Sequence, residues 1–176
     1  MGHLVAASQA RQQLGLDEVL LTVANDPWQK HDREGLTPAT VRFDLVAAAA
    51  AGHEGLMPSD REIRRGGPTY TIDTVDELAA ADSGVELVLI VGADTAAGLG
   101  SWHRADDLLA AVTVAVVDRP GAPAADPAFL HVAVPLLEIS SSDIRARCAD
   151  GRAVDFLVPD GVLSEMRRLH LYGLRA

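Results

Sequence analysis

Apolar residues recur along the chain in two patterns, one with helical spacing and one typical of short buried strands. Helical spacing covers Leu4–Leu14 and ends at Gly15, where glycine favours a left-handed cap. Further helices are predicted from Thr37, with Pro38 as the first helical residue, to Ala51, and over 71–81, 104–111, 140–150 and 159–169. Apolar runs rich in β-branched residues predict strands over 18–24, 86–91 and 112–117, with weaker extended segments over 56–64 and 130–137.

Strands that alternate with helices favour an α/β fold, in which a parallel sheet carries helices on both faces. The 176 residues suit one domain spanning 1–176. Ligands of such sheets bind beyond the carboxyl ends of the strands. The segments that follow the predicted strands are therefore the candidate site, namely 25–30, 92–102, 118–121 and 139–145.

Composition and charge narrow the classes of function. The formal net charge of −10 argues against a protein that binds nucleic acid through its phosphate backbone. The single cysteine, Cys148, excludes an internal disulfide and a cysteine-based zinc cage. No apolar run approaches the roughly 20 residues that span a bilayer, so we expect no membrane segment, and the cytoplasm is the simplest location. These features leave open whether copies of the chain form a homo-oligomer.

Two predicted helix starts have the chemistry of an anion site. Gly2 and His3 open the first helix, whose free N–H groups and dipole attract phosphate. The segment Ile139-Ser-Ser-Ser-Asp-Ile-Arg145 opens another, and an arginine near a helix start suits bidentate contact with phosphate. Local physics alone explains the first as a frayed chain start and the second as ordinary capping.

Acidic, aromatic and glycine-rich residues supply the other candidates. Asp94 follows the most apolar strand, where a carboxylate can bind ribose hydroxyls or simply cap a helix. Trp102 can stack on a flat ring or pack in the core, and Trp28 has the same ambiguity. The segment Arg65-Gly-Gly-Pro-Thr-Tyr-Thr71 can form an anion-binding nest of amides or a plain turn.

In this order, these segments resemble bacterial nicotinate-nucleotide adenylyltransferases over the whole chain. The resemblance implies a Rossmann-like nucleotidyltransferase fold and an enzyme of NAD biosynthesis. It implies adenylyl transfer from ATP to nicotinate mononucleotide, which gives nicotinate adenine dinucleotide and pyrophosphate with Mg²⁺. The segments that carry it are Gly2-His3, Pro27-Trp-Gln-Lys30, Arg65–Thr71, Val91-Gly-Ala-Asp94, Trp102-His103, Val117-Asp-Arg-Pro-Gly121, Ile139–Arg145, Leu157-Val-Pro-Asp160 and Leu171-Tyr172.

The resemblance also implies a role for each residue that matches the family pattern. It implies His3 and Arg145 as the catalytic residues, at the ATP phosphates, and Asp94 at the ribose. No residue is assigned to a metal, because Mg²⁺ is expected on substrate phosphates and water. The implied ATP-binding set is Gly2, His3, Gly92, Asp94, Ile139, Ser140, Ser141 and Arg145, and the implied nicotinate mononucleotide set is Lys30, Tyr70, Thr71 and Trp102.

The start of the chain departs from the family pattern. The family normally opens with a strand and a turn Gly-Gly-Thr-Phe-Asp-Pro-x-His just before Gly-His, whereas here Met1 occupies the x of His-x-Gly-His. We therefore expect a sheet without its first, central strand, whose neighbours expose unpaired backbone groups. A start codon assigned too late and a real fragment both fit this departure, and the first is favoured because the other motifs are kept. Either way, we expect the chain as written to be poorly stable and essentially inactive.

Three other functions compete with this interpretation. A sister adenylyltransferase would use nicotinamide mononucleotide or phosphopantetheine, although the Thr-Tyr-Thr loop and Trp102 favour a pyridine nucleotide. An inactive nucleotide-binding fragment would bind nucleotide without releasing pyrophosphate. A nucleic-acid binder is disfavoured by the net charge of −10.

Overall fold

The computed structural model describes residues 1–27, 36–118 and 126–174. Helices and short parallel strands alternate along most of these residues, as predicted from the sequence. The helices are α1 Gly2–Leu14, α2 Ala39–Ala50, α3 Arg61–Arg65, α4 Thr71–Ala81, α5 Ala93–Ala96, α6 Ala105–Ala111, α7 Ser141–Ala149 and α8 Asp160–Arg168. The strands are β1 Val19–Thr22, β2 Leu56–Ser59, β3 Val88–Gly92, β4 Thr113–Val117 and β5 Leu130–Val132.

Local chemistry explains where several helices begin and end. Gly15 ends α1 at φ 66°, in the left-handed conformation that glycine tolerates. Ser140 caps α7, because its Oγ accepts a hydrogen bond from the backbone N–H of Asp143 at 3.1 Å. The start of α2 differs from the prediction, since Pro38 is the capping residue and Ala39 the first helical one.

Two predicted strands are shorter than expected. The extended segment predicted over 56–64 ends at Ser59, and α3 follows it. The guanidinium of Arg64 pairs with Asp60 at 2.9 Å, a spacing of four residues that supports a helical turn. The strand predicted over 130–137 ends at Val132, three residues before Pro135, which has no N–H to donate to a ladder.

The strands form two separate parallel sheets, whereas the sequence indicated one. One sheet pairs β1 with β2, and Val19 lies opposite Leu56. The other has the order β3-β4-β5, with Val88 opposite Thr113 and Ala115 opposite Leu130. The expected absence of a central strand agrees with this division, because β1 and β3 each have one edge without a partner strand among the described residues.

The unpaired edges of β1 and β3 face the same groove. The carbonyl of Leu87 accepts from Thr113 of β4, and the N–H of Val19 donates to Gly55 beside β2. Successive residues of a parallel strand direct their backbone groups to opposite edges. Every second residue of β3, counted from Val88, therefore points away from β4, and every second residue of β1, counted from Leu20, points away from β2. The backbone groups that face the groove therefore belong to Leu20, Thr22, Val88 and Ile90.

Burial differs between β3 and β4, and among the described residues β3 is paired with a strand on one edge only. In β4, Val114, Ala115 and Val116 are at most 5% exposed. In β3, which the sequence marks as the most apolar strand, only Val91 is buried and Val88–Ile90 are half-buried. An apolar run of this kind is typical of a strand covered on both faces and paired on both edges. Because the edge of β3 away from β4 is exposed, the side chains of β3 are only partly buried.

Helices nevertheless cover both faces of the larger sheet. On one face, Ala10 of α1 packs with Ala115, Val117 and Val132, and the side chain of Ile90 contacts this cluster. On the other face, Ile72 and Val75 of α4 and Leu108 of α6 form a second cluster with Leu87 and Leu89. In the described ranges, no helix is long and apolar enough to cross a membrane.

Arg42 of α2 braces the backbone on both sides of the segment 28–35. Its guanidinium donates to the carbonyls of Ala24 at 2.7 Å, Asn25 at 3.0 Å and Thr37 at 2.9 Å. Desolvation lowers the pKa of Arg42 from its ordinary value, and Tyr172 and Asp26 oppose this effect. The chain after β1 is therefore positioned by one side chain from the next helix.

The Arg42→Met variant is expected to lose about 2–3 kcal/mol of unfolding free energy, because three carbonyls lose a charged donor. Urea denaturation of both proteins measures this difference. Arg64→Met is the control, since its ion pair with Asp60 is exposed and contributes little. Equal, small losses in the two variants would contradict a bracing role for Arg42.

Candidate functional site

The groove between β1 and β3 is the main concave feature of the described residues. Its volume is about 1590 Å³, larger than the roughly 300–1,000 Å³ of ordinary ligand clefts. Residues of α1 line one side and residues of α4, including Thr71 and Val75, line another. The carboxyl ends of β1 and β3 open into it, as expected for the binding edge of a parallel sheet.

All eight residues predicted to bind ATP line this groove. They come from three places that are distant in sequence: the start of α1, the end of β3 and the start of α7. The sequence could place each of them at an element end, and the fold brings those ends together. The eight are Gly2, His3, Gly92, Asp94, Ile139, Ser140, Ser141 and Arg145.

The two glycines of this set leave room for a ligand. A Cβ atom built on Gly2 or on Gly92 would meet no atom within 4 Å. Both positions have φ values outside the left-handed region, so backbone conformation does not require glycine there. The groove therefore has open space beside the start of α1 and the end of β3, and a side chain at Gly2 or Gly92 would fill part of it.

Two helix N-termini bring positive partial charge to the groove. Residues at the starts of α1, of 13 residues, and α7, of 9 residues, line it. The N–H groups and dipoles at helix starts favour an anion. The guanidinium of Arg145 is exposed and donates to Ser142 Oγ at 3.3 Å, and His3 is exposed on the first turn of α1. This end of the groove can bind several phosphate oxygens at once.

Tyr70 and Trp102, the two aromatic residues implied for nicotinate mononucleotide, lie outside the groove lining. The rings of Tyr70 and His103 are 4.3 Å apart and tilted by 33°. Tyr70 and Trp102 both pack against the cluster of Ile72, Val75 and Leu108. Trp102 is half-buried, so core packing covers part of its surface. Of the described residues implied for nicotinate mononucleotide, Thr71 alone lines the groove. Lys30 and Trp28 lie outside the described residues.

The glycine-rich segment that precedes Tyr70 is attached to the end of β1. Thr69 Oγ1 accepts from the backbone N–H groups of Asn25 and Asp26 at 3.0 and 3.3 Å. The N–H of Thr69 donates to the carbonyl of Asp26, and Asn25 Nδ2 donates to the carbonyl of Gly67 at 3.0 Å. Sequence reasoning missed Asn25 and Thr69 as positioning residues, because no local pattern links segments so far apart.

A second set of bonds holds α3 against α4. Glu62 Oε1 accepts from the Thr74 hydroxyl at 2.8 Å. Arg65 donates to Thr74 Oγ1 at 3.0 Å and to Glu77 at 2.8 Å. Glu62 and Thr74 are each 6% exposed. Burial raises the pKa of the Glu62 carboxyl, and the hydrogen bond from Thr74 and the nearby Arg65 partly offset this.

The stability of the protein should therefore depend on the ionisation of Glu62. A raised pKa stabilises the fold below the ordinary carboxyl pKa, and that stability is lost as pH rises through the pKa in the folded state. Glu62→Gln keeps an acceptor for Thr74 without ionising. Its unfolding free energy should rise relative to wild type between about pH 4 and 7, measured by urea denaturation. Glu54→Gln, at an exposed position, is the control, and parallel curves for the three proteins would rule out the effect.

Among the described residues, no group of three or more histidines, cysteines, aspartates or glutamates could hold a metal ion. Asp94 is exposed and lines the groove.

Comparison with known proteins identifies relatives over most of the chain. Residues 1–147 match the family described as cytidylyltransferase-like. A protein of Streptomyces coelicolor, named a probable nicotinate-nucleotide adenylyltransferase, is 39% identical over 176 residues, covering 97% of this chain and 93% of its own. A protein of Salinispora arenicola with the same name is 41% identical over 177 residues, covering 97% and 94%.

A solved structure has the same fold. It is nicotinic acid mononucleotide adenylyltransferase of Plasmodium falciparum complexed with NaAD. The TM-score is 0.78 over 98% of this chain and 91% of that one, at 14% sequence identity. At this low identity the likeness establishes a shared α/β nucleotidyltransferase fold with parallel strands.

Proposed function

The chain belongs to the nicotinate-nucleotide adenylyltransferases of the cytidylyltransferase-like family, and we propose that it transfers the adenylyl group of ATP to nicotinate mononucleotide. The products are nicotinate adenine dinucleotide and pyrophosphate, a step of NAD biosynthesis. The observation that carries the proposal is the convergence of two helix N-termini, Gly92 and Asp94 on one groove. These groups match the triphosphate and ribose of a nucleotide.

The reaction needs positioned donors and no protein nucleophile. A 5′-phosphate oxygen of nicotinate mononucleotide attacks the α-phosphorus of ATP in line. The bond from that phosphorus to the bridging oxygen breaks, and pyrophosphate leaves with the electron pair. Catalysis then consists of alignment and of stabilising negative charge. We assign these tasks to His3 and Arg145, with the amides of α1 and α7 and the hydroxyls of Ser140 and Ser141.

ATP is assigned to the groove and its ribose to Asp94. Gly2 and Gly92 would allow the phosphates and ribose close to the backbone, and Ile139 would contact ATP where the chain enters α7. The overall charge of −10 repels these anions. Binding therefore depends on local charge at the helix ends and at Arg145.

The acceptor is assigned to the segment around Tyr70, which packs against the same buried cluster as Trp102. Trp102 would stack on the pyridine ring, and the loop amides with Tyr70 and Thr71 would meet its carboxylate. Lys30 would bind a phosphate of the acceptor.

We include Mg²⁺ as part of the ATP substrate. The ion would reduce the charge on the phosphates, and its ligands would be phosphate oxygens and water. A cytoplasmic location, where ATP is abundant, completes the proposal.

We also propose that a further parallel strand fits between β1 and β3. The unpaired backbone groups of Leu20, Thr22, Val88 and Ile90 and the incomplete burial of β3 support it. Such a strand would join the two sheets into one within a single domain and would end beside Gly2 and His3. It would thereby add the expected phosphate-binding turn to the start of α1.

Substrate comparison tests the proposed function. Pyrophosphate release is measured, on the chain with the further strand added ahead of Met1, from ATP and each of three acceptors: nicotinate mononucleotide, nicotinamide mononucleotide and phosphopantetheine. We expect the nicotinate compound to react fastest. Equal rates with the two mononucleotides would refute nicotinate specificity, and faster release with phosphopantetheine would assign the chain to a sister activity. Nucleotide binding without release, even after the sheet is completed, would indicate an inactive nucleotide-binding module.

A further inference from the structure

A buried polar network connects the two helices on either side of the glycine-rich segment 66–70. It consists of Glu62 and Arg65 of α3 and Thr74 and Glu77 of α4. None of these residues belongs to the sets assigned to ATP or to the acceptor. The Thr74 hydroxyl is central, because it donates to Glu62 and accepts from Arg65.

The two glycines that open the segment add little conformational constraint, although the ring of Pro68 fixes its own φ. Gly66 and Gly67 both adopt positive φ, at 71° and 68°. Glycines in these conformations lose more backbone entropy on ordering than other residues do. A fixed geometry for the amides of 66–71 therefore requires anchors outside the segment.

Two sets of hydrogen bonds anchor the segment. Its middle is bonded to the end of β1 through Thr69, Asn25 and Asp26. Its two flanking helices are joined by the Thr74 network, since Arg65 immediately precedes Gly66 and Thr74 lies one turn into α4. The network therefore fixes the distance between the end of α3 and the start of α4, which the segment connects.

We infer that Thr74, through Glu62 and Arg65, is the positioning residue that fixes the segment 66–71 for the pyridine mononucleotide. The inference rests on the proposed function, which assigns the acceptor to Tyr70 and Thr71. Thr74 acts on those residues through the start of α4. It determines the affinity for nicotinate mononucleotide, whereas ATP binding depends on the starts of α1 and α7.

The pair Thr74→Val and Thr74→Ser tests the inference. Valine keeps the branched shape and removes the hydroxyl, so Glu62 and Arg65 lose their shared partner, whereas serine keeps the hydroxyl. Calorimetry with nicotinate mononucleotide should give a Kd about 5- to 10-fold higher for the valine variant, from the value of one hydrogen bond. The Kd for ATP should stay within about 2-fold of wild type, and the serine variant should match wild type for both nucleotides.

Hydrogen exchange of the ligand-free protein provides an independent measurement. The amides of 66–71 should exchange faster in Thr74→Val and at the wild-type rate in Thr74→Ser. Val132→Ala, which removes buried volume in β5, is the control for a general loss of stability. It should lower the unfolding free energy without raising the Kd for nicotinate mononucleotide selectively.

The outcomes separate this inference from the proposed function. Unchanged exchange over 66–71 in Thr74→Val would overturn the positioning role whatever the nucleotides do. Equal increases in both Kd values would overturn it as well, because they indicate a general structural effect. Wild-type protein that binds ATP but not nicotinate mononucleotide would refute the proposed acceptor, and the exchange data would still decide whether the network fixes the segment.

Discussion

Extending the chain ahead of Met1 by an apolar strand and the turn Gly-Gly-Thr-Phe-Asp-Pro-x-His should raise the rate of adenylyl transfer by about 100-fold or more. The strand would pair with the free edges of β1 and β3, and the turn would add donors beside Gly2 and His3. Preorganised donors of this kind have large effects on rate. Pyrophosphate release from ATP and nicotinate mononucleotide measures the change.

The same extension should stabilise the fold, because it buries the half-exposed side chains of Val88–Ile90 and pairs open backbone groups. An extension of equal length with prolines at alternate strand positions is the control, since it keeps bulk and loses ladder hydrogen bonds. Urea denaturation compares the three proteins. Full activity in the 176-residue form, or equal activity with the proline extension, would contradict the proposed strand.

Arg145 is replaced with alanine in the 176-residue chain or in the extended chain, whichever is more active. The change should lower kcat by roughly 100- to 1,000-fold, with a smaller effect on KM for nicotinate mononucleotide. Arg145 lines the groove, and in the proposed mechanism its guanidinium stabilises the charge that develops on the leaving pyrophosphate. Arg145→Lys should retain part of the activity, because an ammonium supplies charge without the bidentate fork. Steady-state kinetics with each substrate varied measures these effects.

Arg147 is the matched control on the same helix. Its guanidinium pairs with Asp143 at 2.7 Å, and it does not line the groove. Arg147→Ala should keep kcat within about 2-fold of wild type, since a surface ion pair contributes little. Similar losses in the two alanine variants would remove Arg145 from the catalytic machinery and point to a general effect on α7.

The pattern of apolar residues was sufficient to predict most elements of the fold. β3 and β4 are apolar runs and α1 has helical spacing closed by Gly15, so local sequence and final structure agree. Helix α3 was missed because five residues are too short for a periodic signal, and its Arg64–Asp60 pair was the available clue. The division of the described strands into two sheets could not be predicted, because each strand's own apolar pattern does not specify which strands pair.

The residues at element ends could also be predicted, whereas their supports could not. Gly92 and Ser140 follow directly from a strand end and a helix start. Arg42 and Thr74 act through partners on other elements, and such pairings depend on the packing of the whole domain. For Trp102 the sequence left stacking on a ring and core packing open, and in the structure the side chain is half-buried and packs against the core.

Product formation by the extended chain tests the central claim most directly. Purified protein is incubated with ATP, Mg²⁺ and nicotinate mononucleotide, and nicotinate adenine dinucleotide and pyrophosphate are followed together by mass spectrometry and a coupled assay. We expect the two products in equal amounts, with formation almost abolished by Arg145→Ala. Pyrophosphate without the dinucleotide, or no turnover in a folded extended chain that binds both substrates, would contradict the proposed adenylyl transfer.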